Sequence, residues 1–245
     1  MSDLFEDDED DGPVSSGNSA DPASVVEQHF GSDLCNKFEI FSYRNAASIL
    51  ASGFPSQFEE LVSVLRAIEL TQQMIRMPGG SKGPVVKYID GLFSSSWVET
   101  RIAADLQIKL LHAKQKNTVI KQFSRPGYFD GHRIDFVNGK VAVDVEWNSK
   151  DQTYDRDLYA FSAFYNAGAI DVGIILTRGS SLDMAFFRSL GRVLRKDGSD
   201  GDEHVFKKFG ASTTWMGKLL YRLDAGRNGG CPVLAIGITP NCIKA

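Results

Sequence analysis

The stretch His132-Arg133-Ile134-Asp135-Phe136-Val137-Asn138-Gly139-Lys140-Val141-Ala142-Val143-Asp144-Val145-Glu146-Trp147 decides the reading of this chain. Two runs rich in β-branched and aromatic residues flank Asn138-Gly139, a dipeptide suited to a two-residue type I′ hairpin turn. With that pair as the loop, Val137 faces Lys140 and Asp135 faces Ala142. Side chains alternate along a strand, so Asp135, Ala142, Asp144 and Glu146 fall on one face. Ile134, Phe136, Val141, Val143 and Val145 fall on the other. One face is apolar and the other gathers three carboxylates. The Asp135 to Asp144 diagonal is expected at about 7–8 Å between backbones, near enough for both side chains to reach one cation. Clustered like charges destabilise a sheet unless something neutralises them, and oxygen donors favour a hard divalent ion such as Mg²⁺ over zinc. The other reading is an ordinary amphipathic hairpin whose acids point to solvent, partly neutralised by Lys140 and Arg133.

Downstream, strands and helices alternate. A helix is expected from about Asp155 to Ala167, a solid apolar strand from Val172 to Thr177, a helix from about Leu182 to Arg195, and a last strand from Pro232 to Ile238. Upstream, Ser56-Gln57-Phe58-Glu59 has the form of a capping box opening a helix on Phe58, Leu61, Val62, Leu65 and Ile68. A second helix is expected from about Trp97 to Lys114. The pattern predicts an α/β fold: a mixed β-sheet with an opening antiparallel hairpin flanked by helices, plus a helical N-terminal half. Order is expected to begin near Phe38. Residues 1–36 then form a disordered acidic tail, and 37–245 a single domain with a helical subregion about 38–120 and an α/β core about 121–245.

The chain has 245 residues, 42% hydrophobic and 24% charged, which excludes collagen, wholesale disorder and a disulfide scaffold. Its net charge of −4 is unevenly spread: ten of the 31 acids lie in residues 1–36, which hold no Lys or Arg. The remainder carries 27 bases against 21 acids, a net of +6 suited to nucleic acid. The tail reads either as a solubilising extension or as a nucleic-acid mimic shielding a basic cleft. No basic, apolar leader opens the sequence, and no apolar run approaches the about 20 residues of a membrane span. Cys35, Cys231 and Cys242 form no C-x-x-C pair. Reduced thiols and a cytoplasmic location, with no membrane partner, are therefore expected.

The spacing Asp135, eight residues, then Asp144-Val145-Glu146 resembles the active-site pattern of the PD-(D/E)xK nucleases, with Ile134 in place of proline and Glu146 in place of lysine. The wider context resembles the BglII/BstYI-like type II restriction endonucleases. It comprises Ile134-Asp135-Phe136, Val143 to Gln152, Asp155-Arg156-Asp157-Leu158, Ser212 to Lys218, Ala225 to Pro232, Phe41-Ser42-Tyr43-Arg44 and Pro78-Gly79-Gly80. This resemblance spans roughly residues 38–240 and implies a restriction-endonuclease-like core. It also implies a homodimer that cuts double-stranded DNA at a palindromic site containing GATC, leaving 5′-phosphate and 3′-hydroxyl ends.

In that light Asp135 and Asp144 are expected to ligate Mg²⁺ (with Mn²⁺ able to substitute), with the Val145 carbonyl as a third protein oxygen. Glu146 would orient or deprotonate the attacking water, or bind a second ion. Glu99 is a further candidate, against the reading of an exposed acid in the first turn of a helix. Asp155 and Asp157 read as helix caps and His132 as incidental. Lys109, His112, Lys114, Lys116, Lys121 and Arg125 form a basic run, while Arg188, Arg192 and Arg195 are expected to stack on one helical face. Asn148, Ser149, Arg227 and Asn228 are candidates for reading base edges, joined by Lys150 and Lys218 as DNA contacts. Two other readings stay open: a structure-specific repair or junction nuclease on the same core, and a catalytically silent DNA-binding module.

Overall fold

Strands covered on both faces need apolar side chains in both directions, and three segments of this chain supply them. The computed structural model describes residues 12–79, 82–116 and 118–244. Among them the first half runs α1 (Ala23–Lys37), β1 (Phe38–Tyr43), α2 (Ala46–Gly53), α3 (Pro55–Ala67), β2 (Leu70–Thr71), α4 (Gln72–Arg76), α5 (Pro84–Asp90) and β3 (Val98–Leu111). The second runs β4 (Val119–Asn138), β5 (Val141–Glu146), α6 (Thr153–Asn166), β6 (Val172–Arg178), α7 (Met184–Ser189), β7 (Arg192–Leu194), β8 (Asp200–His204), α8 (Met216–Asp224), β9 (Val233–Ile238) and β10 (Ile243–Lys244).

One six-stranded sheet has the order β1-β9-β6-β5-β4-β3. Its centre, β9-β6-β5, is parallel, and the flanking pairs β1-β9, β5-β4 and β4-β3 are antiparallel. Every residue of β5, β6 and β9 is buried, as parallel strands roofed by helices on both sides require. On one side α1, α2, α3 and α5 close over Val141, Val143, Val145, Ile174, Leu176, Leu234 and Ile236. On the other, α6 and α8 pack Leu158, Phe161, Phe164, Leu219 and Leu223 against Ala142, Ile175, Val233 and Ala235. Gly173 lets α6 come close, because a Cβ there would lie 2.3 Å from the Phe161 ring. The mixed sheet with its antiparallel hairpin is the predicted fold class.

Four expectations are corrected. The segment from Trp97 to Lys114 is not a helix: Val98–Leu111 is strand β3. Ile102, Ala104, Leu106, Ile108 and Leu110 are apolar at period two, and this outweighed the helix-favouring Ala, Leu and Lys around them. The helical subregion expected over about 38–120 therefore shrinks to residues 46–90, interrupted by β2: it is preceded by strand β1 of the main sheet and followed by β3. Ser56 caps nothing. Pro55 already occupies the first turn of α3, and the cap position is Phe54. The helix expected over Leu182 to Arg195 stops at Ser189, past which Gly191 takes φ 76° and β7 begins. Arg188, Arg192 and Arg195 thus share no helical face.

The fourth correction concerns the acidic tail. Residues 1–11 lie outside the described residues, but 12–36 are not a free tail. The Asp224 carboxylate accepts the Asn18 and Ser19 N–H groups at 2.9 Å, the Tyr43 hydroxyl at 2.8 Å, and the Ser15 hydroxyl. Asp21 Oδ2 accepts from Ser42 Oγ at 2.6 Å and from the Asn45 N–H at 2.7 Å. In α1, Val26, Phe30 and Leu34 are buried in the core. Their spacing of four was an amphipathic signal, masked by Glu27, Asp33 and the Gly31 kink. Leu34→Ala should therefore lower the unfolding free energy by about 2–5 kcal/mol, read from the urea midpoint. An unchanged midpoint would remove α1 from the core.

Candidate active site

The hairpin forms with one change of turn. Asn138 pairs with Val141, Val137 with Ala142 and Phe136 with Val143, so the loop is Gly139-Lys140. Gly139 takes φ 59° at the first central position, the type II′ arrangement, in place of the I′ turn expected for Asn138-Gly139. Continuing this register sets Asp135 opposite Asp144 rather than Ala142. A second adjustment comes from β3, where Thr100 pairs with Ile134 and Val98 with Val137. Between those pairs β4 carries one residue more than β3, which is a bulge, and bulges re-aim side chains. Ile134 accordingly packs with Ala142 beneath α6, not on the Phe136 side expected for it.

Past Phe136–Val143 the backbone ladder gives way to side chains. The Asp135 N–H donates to Asp144 Oδ1 at 3.0 Å, and the Val145 N–H donates to Asp135 Oδ2 at 3.0 Å. The end of β5 is held from the far side. Thr177 Oγ1 and Thr214 Oγ1 donate to the Glu146 carbonyl at 2.7 and 3.3 Å, which gives the Ser212 to Lys218 motif a supporting role.

The splayed strands open on a cleft of about 730 Å³. Lys82 and Asp90 line it from the first half of the chain, Glu99 from β3, and Asp135, Val145 and Glu146 from the hairpin. Asn148, Ser149, Lys150 and Thr153 follow, with Arg156 from α6. Asp135, Glu146, Asn148, Ser149, Lys150 and Glu99 thus meet at one cleft. Asp144 lies beneath it, 3% exposed. Glu99 sits on a strand rather than in a helix turn, and Arg133 pairs with it at 3.3 Å.

These acids repel and are desolvated. Burial pushes the Glu146 carboxyl up to about 8, with Asp157 adding repulsion. Burial also carries Asp144 well above the carboxylate range, reinforced by Asp157, Asp135 and Glu146. Asp135 is raised by burial, with the Val145 N–H acting in the opposite sense. Asp90 rises to about 6, through burial and then the nearby Asp135. Asp144 Oδ2 and Glu146 Oε2 are buried without a hydrogen-bond partner. A divalent cation would supply the missing charge and the missing contacts together.

Two residues escaped the sequence reading. Asp157 is no cap: it is 1% exposed on the inner face of α6 and repels Asp144 and Glu146. Its signal was an acid within the apolar stripe Tyr154, Leu158, Phe161. His132 is not incidental either, since His132, Asp144 and Asp157 bring donor atoms within 4.8 Å of one another. Asp155 does stand in the first turn of α6, but its carboxylate binds Arg222 at 3.0 Å and Arg227.

The outlying DNA candidates separate. Lys218, 3% exposed, pairs with Asp151 at 3.5 Å, and Asn228, 2% exposed, donates to the Cys231 carbonyl at 2.7 Å. Both are structural and withdrawn from any surface. Arg227 is tied to Asp155 and lies over the Tyr221 ring. Arg192 donates to the Asp202 carbonyl, Arg195 pairs with the Asp202 carboxylate, and Arg188 lies over the Phe206 ring. The basic run Lys109 to Arg125 occupies the β3–β4 ribbon, where every described residue from 107 to 128 is exposed.

A family model described as restriction endonuclease BglII/BglIII matches residues 38–238. No curated protein matches the chain.

The raised carboxyls make stability depend on pH. Without a metal, folded Glu146 keeps a proton up to about 8 that the unfolded chain releases near 4.5, so its contribution is present below that range and is lost as pH rises through it. Asp90 acts in the same sense between 3.8 and about 6. The urea midpoint of metal-free protein should fall from about pH 5 to about pH 8, and Glu146→Gln should flatten the fall. A midpoint rising over that interval would contradict the burial of these acids.

Proposed function

The chain belongs to the BglII/BglIII restriction endonuclease family, whose members are type II DNA endonucleases, and from that premise we propose that it is a Mg²⁺-dependent enzyme cutting a palindromic DNA site that contains GATC. The observation that carries the metal reading is the pair of buried, unpartnered oxygens, Asp144 Oδ2 and Glu146 Oε2, beside Asp135 at the cleft. These donors are all oxygen, the set that suits a hard cation. Asp135, Asp144 and the Val145 carbonyl would hold the ion, with Mn²⁺ as a substitute. When bound, Mg²⁺ supplies Lewis acidity that eases ionisation of water and offsets charge growing on the phosphate.

The chain's own groups do the rest. Glu146 Oε2 orients the attacking water and takes its proton. Asp157, behind Glu146, keeps that carboxylate basic by repulsion. Arg156 and Lys150 line the same cleft and bind the phosphates flanking the scissile bond. Asn148 and Ser149, leaving the active strand, reach the base edges. A palindrome is read by a two-fold homodimer, in which each copy cuts one strand. The exposed β3–β4 ribbon is too thin to be stable alone and gains a partner when Lys109, Lys121 and Arg125 meet duplex phosphates. Reduced thiols at Cys35, Cys231 and Cys242 fit a cytoplasmic enzyme. No helix among the described residues is long and apolar enough to cross a membrane.

Unmethylated plasmid incubated with Mg²⁺ should yield discrete fragments whose sequenced ends share one palindrome containing GATC. A smear, or ends without that core, would refute the specificity. Asp144→Ala should abolish cleavage while DNA binding in a gel shift survives, and wild-type cutting by that variant would displace the site. Lys121→Ala with Arg125→Ala should flatten the slope of log affinity against log salt by about 0.9 for each phosphate that is no longer neutralised. An unaltered slope would take the ribbon off the DNA.

A further inference from the structure

Below the cleft floor, three elements converge on a pocket of donor atoms that the proposed Mg²⁺ site uses only in part. His132 comes from β4, Asp144 from β5 and Asp157 from α6, and one donor from each lies within 4.8 Å of the others. His132 Nε2 is 3.4 Å from Asp157 Oδ1, the separation of two donors around a tetrahedral ion at about 2.1 Å. His132 Nε2, Asp144 Oδ2 and Asp157 Oδ2 are all buried with no hydrogen-bond partner. Asp144 and Asp157 are 3% and 1% exposed, so each has a carboxyl oxygen removed from water with no hydrogen bond to replace what it lost. Asp157 Oδ1 does receive Arg156, at 3.1 Å, but that guanidinium is itself largely in solvent.

We infer that His132, Asp144 and Asp157 form a second divalent-cation site, one that prefers an imidazole-binding ion of the Mn²⁺ or Zn²⁺ class to Mg²⁺. The imidazole nitrogen sets the preference. Mg²⁺ favours an all-oxygen shell with retained water, whereas a mixed shell of one nitrogen and two carboxylate oxygens suits the borderline ions. β4 is irregular beside each site: one register shift falls at Asp135 and Phe136, and a separate one falls between His132 and Asp130. Asp144 is common to the two: its Oδ1 is held by the Asp135 N–H, and its unpartnered Oδ2 is the oxygen on which both ions would draw. His132 and Asp157 are donors the proposed Mg²⁺ site does not use, and the inference does not need the enzyme reading.

The test uses the full chain, without DNA, titrated with Mn²⁺. Electron spin-echo spectroscopy should show nitrogen coupling from a directly bound imidazole. That coupling should persist in Asp135→Asn, which lies outside the donor set, and vanish in His132→Gln, which should also bind Mn²⁺ at least about tenfold more weakly at this site. Tenfold excess Mg²⁺ should leave the coupling in place. Thermal melts in chelator verify that His132→Gln folds. If it does not, Asp157→Asn replaces it and should weaken Mn²⁺ likewise. Absence of nitrogen coupling in the wild type, its survival in His132→Gln, or its loss to Mg²⁺ would each overturn the site. Plasmid cutting with Mg²⁺ alone is scored separately. Cutting without the nitrogen signal sinks only this inference, and the signal without cutting sinks only the enzyme reading.

Discussion

The reciprocal pair of hydrogen bonds at the mouth of the hairpin, Asp135 N–H to Asp144 and Val145 N–H to Asp135, is the interaction on which the rest of the site depends. A sheet can end only where its backbone donors find other acceptors. Here the acceptors are two carboxylates, so closing the ladder and building the site are one event. Each acid spends one oxygen on a backbone donor. Asp144 is left with a second that nothing in the described protein satisfies. The neighbouring acids add to that deficit. Glu146 follows two residues later, Asp157 faces it from α6, and burial raises Asp144 and Glu146. Such an arrangement is stable only with protons or cations inside it.

The charge of the whole chain takes on the same logic. A net −4 first reads as a poor partner for DNA. Residues 1–11 alone hold seven acids and no base, however, and residues 12–245 hold 27 bases against 24 acids. The folded body is therefore modestly basic even though its centre is a knot of carboxylates. Arg178, Lys218 and Arg222 are buried, but Lys109, Lys121 and Arg125 lie outward on the ribbon, and Lys82, Lys150 and Arg156 line the cleft. On the proposed reading a polyanion would be drawn to the periphery and a cation to the centre.

What was legible in the sequence was what short-range alternation encodes. The hairpin, its apolar face and its three acids follow from period two over a dozen residues, and the fully buried strands β6 and β9 follow from their unbroken apolar runs. Errors arose where two local signals competed. Asn138-Gly139 favoured one turn, but Gly139-Lys140 formed it, because a glycine at the first central position admits a II′ turn and lets Asp135 meet Asp144. In Val98–Leu111, strand alternation and helix-favouring residues occupy the same fourteen positions, and pairing with β4 decided between them. The charge of segment 12–36 suggests a tail, whereas Phe30 and Leu34 respond to a core assembled from residues far away in sequence. His132 and Asp157 lay beyond any local pattern. Their meaning arises only when a bulged strand and a helix face are brought against β5.

Glu146 in place of a lysine is the sharpest departure in this chain from the PD-(D/E)xK pattern that Asp135 and Asp144 otherwise resemble. An ammonium at that position would pair with the neighbouring acids and lower their pKa values, so that the metal-free site could stand ionised. A carboxylate does the reverse, and its own proton is held up to about 8 by burial and by Asp157. The metal-free cluster therefore stores protons that a cation must displace. Cation binding and proton release become a single equilibrium that tightens as pH rises. Lys82 and Arg156 line the cleft and offset the charge only in part. An all-carboxylate floor would thus make a bound cation a structural member of the site as well as a chemical one. The same substitution that weakens the sequence pattern strengthens the demand for metal.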